Sequence, residues 1–173
     1  TRRPCLSNTR GLIVALLTLL LFFLVSQLPV VLPIFTLPEP GGQYAVGTIS
    51  LSLTDPQRPE IFTEDGSDRR QVPLQIWYPA ESQPDQKPLN YWLGRDEMSR
   101  ILAEEMELPL FLLDHLSLVE THSYDSAPPA AARGALPVVV FSHGYHLGYL
   151  QQNLAIMETL ASHGYIVVSL AHP

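Results

Sequence analysis

Residues 136–171 restrict the fold of this chain more than any other stretch. Val138-Val139-Val140-Phe141 is a short uninterrupted apolar run, the pattern of a strand covered on both faces. After Ser142-His143-Gly144-Tyr145, Leu150, Leu154, Met157 and Ala161 recur at helical spacing with Leu160 alongside. Gly164 stands where a left-handed cap ends a helix, and Tyr165 to Ala171 is a second buried strand. Strand, helix and strand over roughly 30 residues or more make a βαβ unit, with parallel strands and a right-handed crossover. A chain containing it belongs to the α/β class.

The preceding residues predict a sheet of mixed direction. Ile49, Leu51 and Leu53 alternate with Thr48, Ser50, Ser52 and Thr54, the period of a half-buried strand. A charged loop from Asp55 to Arg70 follows. Val72, Leu74, Ile76 and Tyr78 then alternate with Gln71, Pro73, Gln75 and Trp77, so a second strand is expected to pair with the first. Pro73 has no N–H to donate, which places a free side near the start of that strand. Residues 79–90 form a loop, Arg95 to Met106 a helix, Pro109 to Val119 a second short helix with Pro109 in its first turn, and Ser126 to Gly134 another loop.

At the other end, residues 11–35 are almost wholly apolar (GLIVALLTLLLFFLV, Ser26-Gln27, then LPVVLPIF). A bilayer-spanning helix needs about 20 such residues. All-round apolarity argues against a helix of a globular core, which would keep a polar face. A cleaved signal peptide is the rival, but no small-x-small cleavage site follows the run, so an uncleaved transmembrane anchor over 11–35 is favoured. Residues 1–10 carry Arg2, Arg3 and Arg10, and the next basic residue is Arg58. The positive-inside rule therefore makes 1–10 a cytoplasmic flank and places the body outside the cytoplasm, periplasmic or extracellular. Residues 36–43, rich in Pro and Gly, are a linker to a domain over 44–173.

The 173 residues carry a net charge of −7; removing the three N-terminal arginines from that balance leaves −10 on the remainder. An acidic body with Lys87 as its one lysine argues against nucleic acid as a partner. Cys5 is the single cysteine, which excludes an intrachain disulfide and a cysteine-based metal site.

The chemistry concentrates after Phe141. A strand that runs into a glycine-containing loop and then into a helix can present backbone N–H groups beside the positive end of the helix dipole, an arrangement suited to an oxyanion. Gly144 lets the loop turn sharply and approach a substrate, and the Tyr145 N–H becomes the candidate donor, its ring free to wall an acyl pocket. His143 is assigned to locking the loop by hydrogen bonding. His143 and His146 are three apart, without the third ligand or the H-E-x-x-H pattern of a zinc site.

Four stretches resemble the α/β-hydrolase superfamily, and within it the platelet-activating-factor acetylhydrolase and dienelactone-hydrolase-like lipases. They are Tyr44-Ala-Val-Gly-Thr48, Gln75-Ile-Trp-Tyr-Pro79, Glu120-Thr-His-Ser-Tyr-Asp-Ser-Ala-Pro128, and Val139-Val-Phe-Ser-His-Gly144 with Leu160-Ala-Ser-His-Gly-Tyr-Ile-Val-Val168. The resemblance covers about residues 40–173. It implies the N-terminal half of a mixed sheet with flanking helices, and a serine esterase that releases a short acyl chain from the sn-2 position of a phospholipid without metal or other cofactor. It matches Tyr145 to the position whose amide is one oxyanion donor, with His143 and Gly144 beside it at the substrate pocket.

The chain departs from that family at the nucleophile. G-x-S-x-G is absent, and Ser142 (V-F-S-H-G) and Ser162 (L-A-S-H-G) each match only the second glycine. Since the family order is Ser, acid, His, the whole triad is expected beyond Pro173, and the chain is read as an incomplete N-terminal part. Two alternatives stand beside the lipid esterase: a hydrolase of soluble or polymeric esters resembling dienelactone hydrolase or cutinase, and a non-catalytic membrane-tethered binding module. His172 is a candidate pocket residue and His163 a helix cap. Asp125 is assigned to a turn, Glu104, Glu105 and Glu107 to a solvated face, and Leu108 to Leu118 to packing rather than lipid contact. A sheet ending at Tyr165–Ala171 leaves an apolar edge there, so the isolated piece is expected to aggregate.

Overall fold

A computed structural model of the chain describes residues 6–32, 34–91, 97–131, 134–144 and 148–171. The chain divides into two compact units, Thr1–Phe35 and Thr36–Pro173. In the first, α1 (Leu6–Ser26) is followed by the single turn α2 (Leu28–Val31), with Pro29 in its first turn. The hydroxyls of Thr18 and Ser26 donate to Val14 O and Phe23 O, so these two polar side chains are satisfied within the helix. Thr9–Val30, at a mean hydropathy of 2.5, is long and apolar enough to cross a membrane.

The second unit is built on a five-stranded sheet. Its strands are β1 (Ala45–Pro59), β2 (Arg69–Ala80), β3 (Ser123–Asp125), β4 (Val138–Ser142) and β5 (Ile166–Leu170), in the order β3-β1-β2-β5-β4. β1 runs antiparallel to β2 and parallel to β3; β5 runs antiparallel to β2 and parallel to β4. The βαβ unit is therefore present, β4 and β5 pairing from Val138↔Ile166 to Ser142↔Leu170. Its helix α4 (Leu154–Ser162) packs Leu154, Met157 and Ala161 on Val46, Trp77 and Val167, with Leu37, Tyr91, Val139, Phe141 and Leu160 around them. Gly164 ends α4 at φ +99, and the Tyr165 N–H returns to Leu160 O at 3.1 Å, closing the expected left-handed cap.

Several expectations change. β4 is not covered on both faces: α4 covers the side of Val139 and Phe141, while Val138 and Val140 on the other side are 59% and 63% exposed. The sheet edge is β4 and not 165–171, because β5 inserts between β2 and β4. The β1–β2 hairpin is longer than the alternation suggested, and beyond Thr48 it leaves the core, so Leu51 and Leu53 are exposed rather than half-buried. Its loop shrinks to 60–68, where Glu60 pairs with Arg70 at 2.9 Å.

Pro73 lies just outside the β2–β5 ladder. Ala171 N–H donates to its carbonyl at 2.9 Å, and proline has no N–H to return. The helix expected from Arg95 is α3 (Glu97–Glu105). The one expected over Pro109 to Val119 is a pair of 3₁₀ turns, Leu110–Leu112 and Asp114–Leu118; Leu113 is buried there while Phe111 and Leu118 are exposed. Asp125, assigned to a turn, ends β3. The linker residues lie against α4: Ser162 Oγ accepts from Gly42 N–H at 3.1 Å, and Tyr44 N–H donates to Ser162 O at 3.1 Å.

Candidate active-site loop

The loop in question leaves the C-terminal end of β4, the edge where α/β sheets place their sites. His143 and Gly144 open it. The His143 ring Nδ1 donates to Gly144 O at 2.9 Å, and Gly144 N–H donates to Gln152 Oε1 at 3.4 Å, so the start of the loop is tied to its own far end. Tyr145, the predicted oxyanion donor, and His146 lie outside the described residues, as does His172.

The glycine that the geometry requires is a different one from the one expected. A Cβ on Gly144 would meet nothing within 4 Å. On Gly148 it would overlap Gly144 O and the His143 ring, so Gly148 is where two strands of the loop pass closely. The helix also starts later than expected, at Leu154 instead of Leu150, and a turn over 150–153 separates it from the loop.

The base of the loop is a buried polar network that the sequence patterns did not single out. Gln75 projects from β2 on the α4 side and is only 7% exposed. Its Nε2 donates to Thr48 Oγ1 at 3.0 Å, and its Oε1 accepts from Gln151 Nε2 at 2.6 Å. The hydroxyls of Tyr91 and Tyr149 meet at 2.7 Å, and burial raises the Tyr149 phenol above its ordinary range with Tyr91 adding to the effect. Beneath the middle of α4, Glu158 is fully buried. Its Oε1 accepts from Ser123 Oγ at 2.6 Å and from His122 N–H at 2.8 Å. Burial pushes its carboxyl above the ordinary value, against those two bonds, which pull it down. The available signal for Glu158 was a carboxylate on the apolar face of α4, four residues from Leu154.

Ser162, one of the two serines weighed as a nucleophile, is structural. Its buried hydroxyl lies 2.8 Å from Thr159 O and 3.2 Å from Pro40 O, besides accepting from Gly42. His163 caps the helix through Nδ1 to Thr159 O at 2.8 Å.

A ferulic acid esterase from Streptomyces cinnamoneus has a similar structure, with a TM-score of 0.58 and 25% sequence identity over 79% of this chain and 36% of the esterase chain. The present chain thus spans about a third of that protein's length. The mixed sheet, with its parallel β4–α4–β5 unit and flanking helices, is of the α/β-hydrolase class. The chain belongs to the family described as platelet-activating factor acetylhydrolase, isoform II, whose sequence model matches residues 31–173. No curated protein matches the chain.

Proposed function

We propose that this chain is the N-terminal part of a serine-type carboxylic ester hydrolase acting on lipid esters, with short sn-2 acyl phospholipids as the substrate class. The observation that carries the reading is the family match over residues 31–173. In the proposed mechanism a serine beyond Pro173 attacks the ester carbonyl, and the Tyr145 amide is one of the donors that hold the tetrahedral oxyanion. His143 and Gly144 line the approach to that amide. Residues 11–35 anchor the enzyme in a membrane with the hydrolase domain outside the cytoplasm, which keeps the site near its lipid; carbonate extraction of membranes tests the anchor against a cleaved signal sequence.

A second reading, a hydrolase of soluble or polymeric esters, is supported by the structural likeness to a ferulic acid esterase. Assaying the full-length protein with a short-acyl phospholipid, a feruloyl ester and p-nitrophenyl acetate separates the two. Lipid hydrolysis with indifference to the feruloyl ester is expected, and the reverse preference replaces the lipid reading. A fluorophosphonate probe should label the full-length protein at a serine beyond Pro173 and still label it after Ser142→Ala or Ser162→Ala. Absence of any labelling leaves the non-catalytic binding module.

A further inference from the structure

Among the described residues, 143–144 and 148–153 between β4 and α4 belong to no strand ladder. Among the same described residues, the backbone bonds at the exit of this segment are those of turns, Gln152 N–H to Tyr149 O at 3.1 Å and Leu154 N–H to Gln151 O at 3.0 Å. Side chains do the anchoring. A relay runs from Thr48 on β1 through Gln75 on β2 to Gln151, each link a hydrogen bond of 3.0 Å or less. A second tether joins Tyr149 to Tyr91, whose own N–H is fixed to Val119 O at 2.7 Å. The next residue, Gln152, turns the other way and accepts from Gly144 N–H. Adjacent glutamines therefore take opposite ends of one connection: Gln151 grips the sheet and Gln152 grips the start of the loop.

Close packing does not duplicate this hold. A cavity of about 20 Å³ lies against the relay, bounded by Thr48, Gln75, Trp77, Tyr91, Thr121 and Gln151. The cavity is about the size of one water, so on that side Gln151 is held by its bond to Gln75 rather than by tight packing. A glutamine on the buried face of an interior strand is also costly unless both ends of its amide are bonded, and at Gln75 both are.

We infer that Gln75 and Gln151 are positioning residues for the start of the loop at His143–Gly144, an inference that rests on the ester-hydrolase reading above. Neither touches the substrate. Gln75 acts through Gln151, and Gln151 acts through its neighbour Gln152 on Gly144, whose N–H Gln152 Oε1 accepts. An oxyanion donor works only when aimed at the position of the developing charge. Complete loss of a donor costs about 10²–10³ in kcat, and a displacement of about 1 Å can cost 10². Because the donor acts in the transition state, the loss falls on kcat and spares KM.

The test uses the full-length enzyme, with kcat expressed per serine labelled at end-point by a fluorophosphonate. Gln151→Asn shortens a half-buried side chain so that it no longer reaches Gln75. It should lower kcat per labelled site about tenfold to a hundredfold with KM within about threefold. Gln75→Leu breaks the same bond from the other side, and the double variant should be no worse than the poorer single, because one connection is lost in all three. If the pair is merely structural, the variants lose labelled sites and thermal stability while kcat per labelled site stays at the wild-type value, and that result overturns the inference. Should Gln75→Leu fail to fold, Gln151→Asn decides alone. A wild-type enzyme with no labelling and no turnover removes the hydrolase reading together with this inference; an active wild type with unimpaired variants removes the inference only.

Discussion

Gly47 lies directly across from Tyr78 in the β1–β2 register, and the Tyr78 ring covers it. A Cβ added at Gly47 would stand 2.5 Å from Tyr78 Cε2, 2.7 Å from Cζ and 3.0 Å from the hydroxyl oxygen. Ordinary carbon contacts begin near 3.5 Å, so Gly47→Ala drives the ring back by about 1 Å. The ring cannot retreat freely, since its hydroxyl donates to Ala127 O at 2.7 Å and so joins the end of β2 to the segment after β3. Overpacking costs about 1–3 kcal/mol and the strained or lost hydrogen bond about 0.5–1.5. Gly47 is not among the glycines of positive φ, so alanine meets no backbone strain there and returns about 0.4–1 kcal/mol by restricting the unfolded chain. The net expectation is a loss of about 2 kcal/mol, within bounds of about 0.5–4. Urea unfolding followed by tryptophan fluorescence is the assay, Trp77 being fully buried in the core. In a Tyr78→Leu background the obstacle is gone, and Gly47→Ala should be neutral or slightly stabilising, giving a coupling above about 1.5 kcal/mol in the double-mutant cycle. An equal cost in both backgrounds would refute the argument that the glycine is there for the ring.

Glu158 supplies a pH signature. Its folded pKa is raised above the ordinary 4.5, so its contribution to stability is complete below that value and is lost as pH rises through the folded pKa. Beyond Ser123 and the His122 N–H, the charges that act on it are the His122 ring, which lowers its pKa, and Glu39, which raises it. Glu158→Gln cannot titrate, so its stability relative to wild type should improve from pH 4.5 to pH 8, by up to about 1.4 kcal/mol per pH unit within the window; a difference that is constant with pH, measured by chemical unfolding, would contradict this. On the bare side of the sheet, Val140→Lys should reduce light scattering by the isolated 173-residue chain, since Val138 and Val140 are its exposed apolar pair on β4. Unchanged scattering would place the sticky surface elsewhere.

The elements that sequence patterns located correctly are those whose reasons are local. The β4–α4–β5 unit announces itself through two apolar runs and a helical stripe, and Gly164 through a left-handed cap. β3 was missed because Ser123-Tyr124-Asp125 has neither alternation nor apolar content, and it becomes a strand only because β1 offers a free edge beside it. α4 begins later than its apolar spacing suggests because Tyr149 and Gln151 commit their side chains to Tyr91 and Gln75, which competes with a regular helix over this turn. Two 3₁₀ turns replace one helix after Pro109, where the His115 ring bonds Leu112 O and competes with the regular pattern. At the candidate site, the sequence patterns placed the loop and assigned His143 to a hydrogen bond within it without naming Gly144 O as the partner, while the network beneath the loop was illegible. Glutamines 76 residues apart carry no periodic signal.

The buried polar residues on the α4 side of the sheet follow a division of labour. Regular elements meet through apolar contacts, Val46, Trp77 and Val167 against Leu154, Met157 and Ala161. Irregular segments are placed by buried hydrogen bonds: Gln75 holds the turn at Gln151, Glu158 holds the entry to β3 at His122 and Ser123, and Ser162 holds Gly42. Such bonds add only about 1 kcal/mol each to net stability, yet leaving one of their groups unpaired costs about 1–3, so they select a single geometry more strongly than they stabilise it. An oxyanion site assembled from loop amides depends on that selection, because apolar packing is non-directional and cannot aim an N–H. On this argument, changes in the apolar set of α4 should act mainly on the amount of folded protein, and changes at Gln75 or Gln151 mainly on turnover per folded molecule.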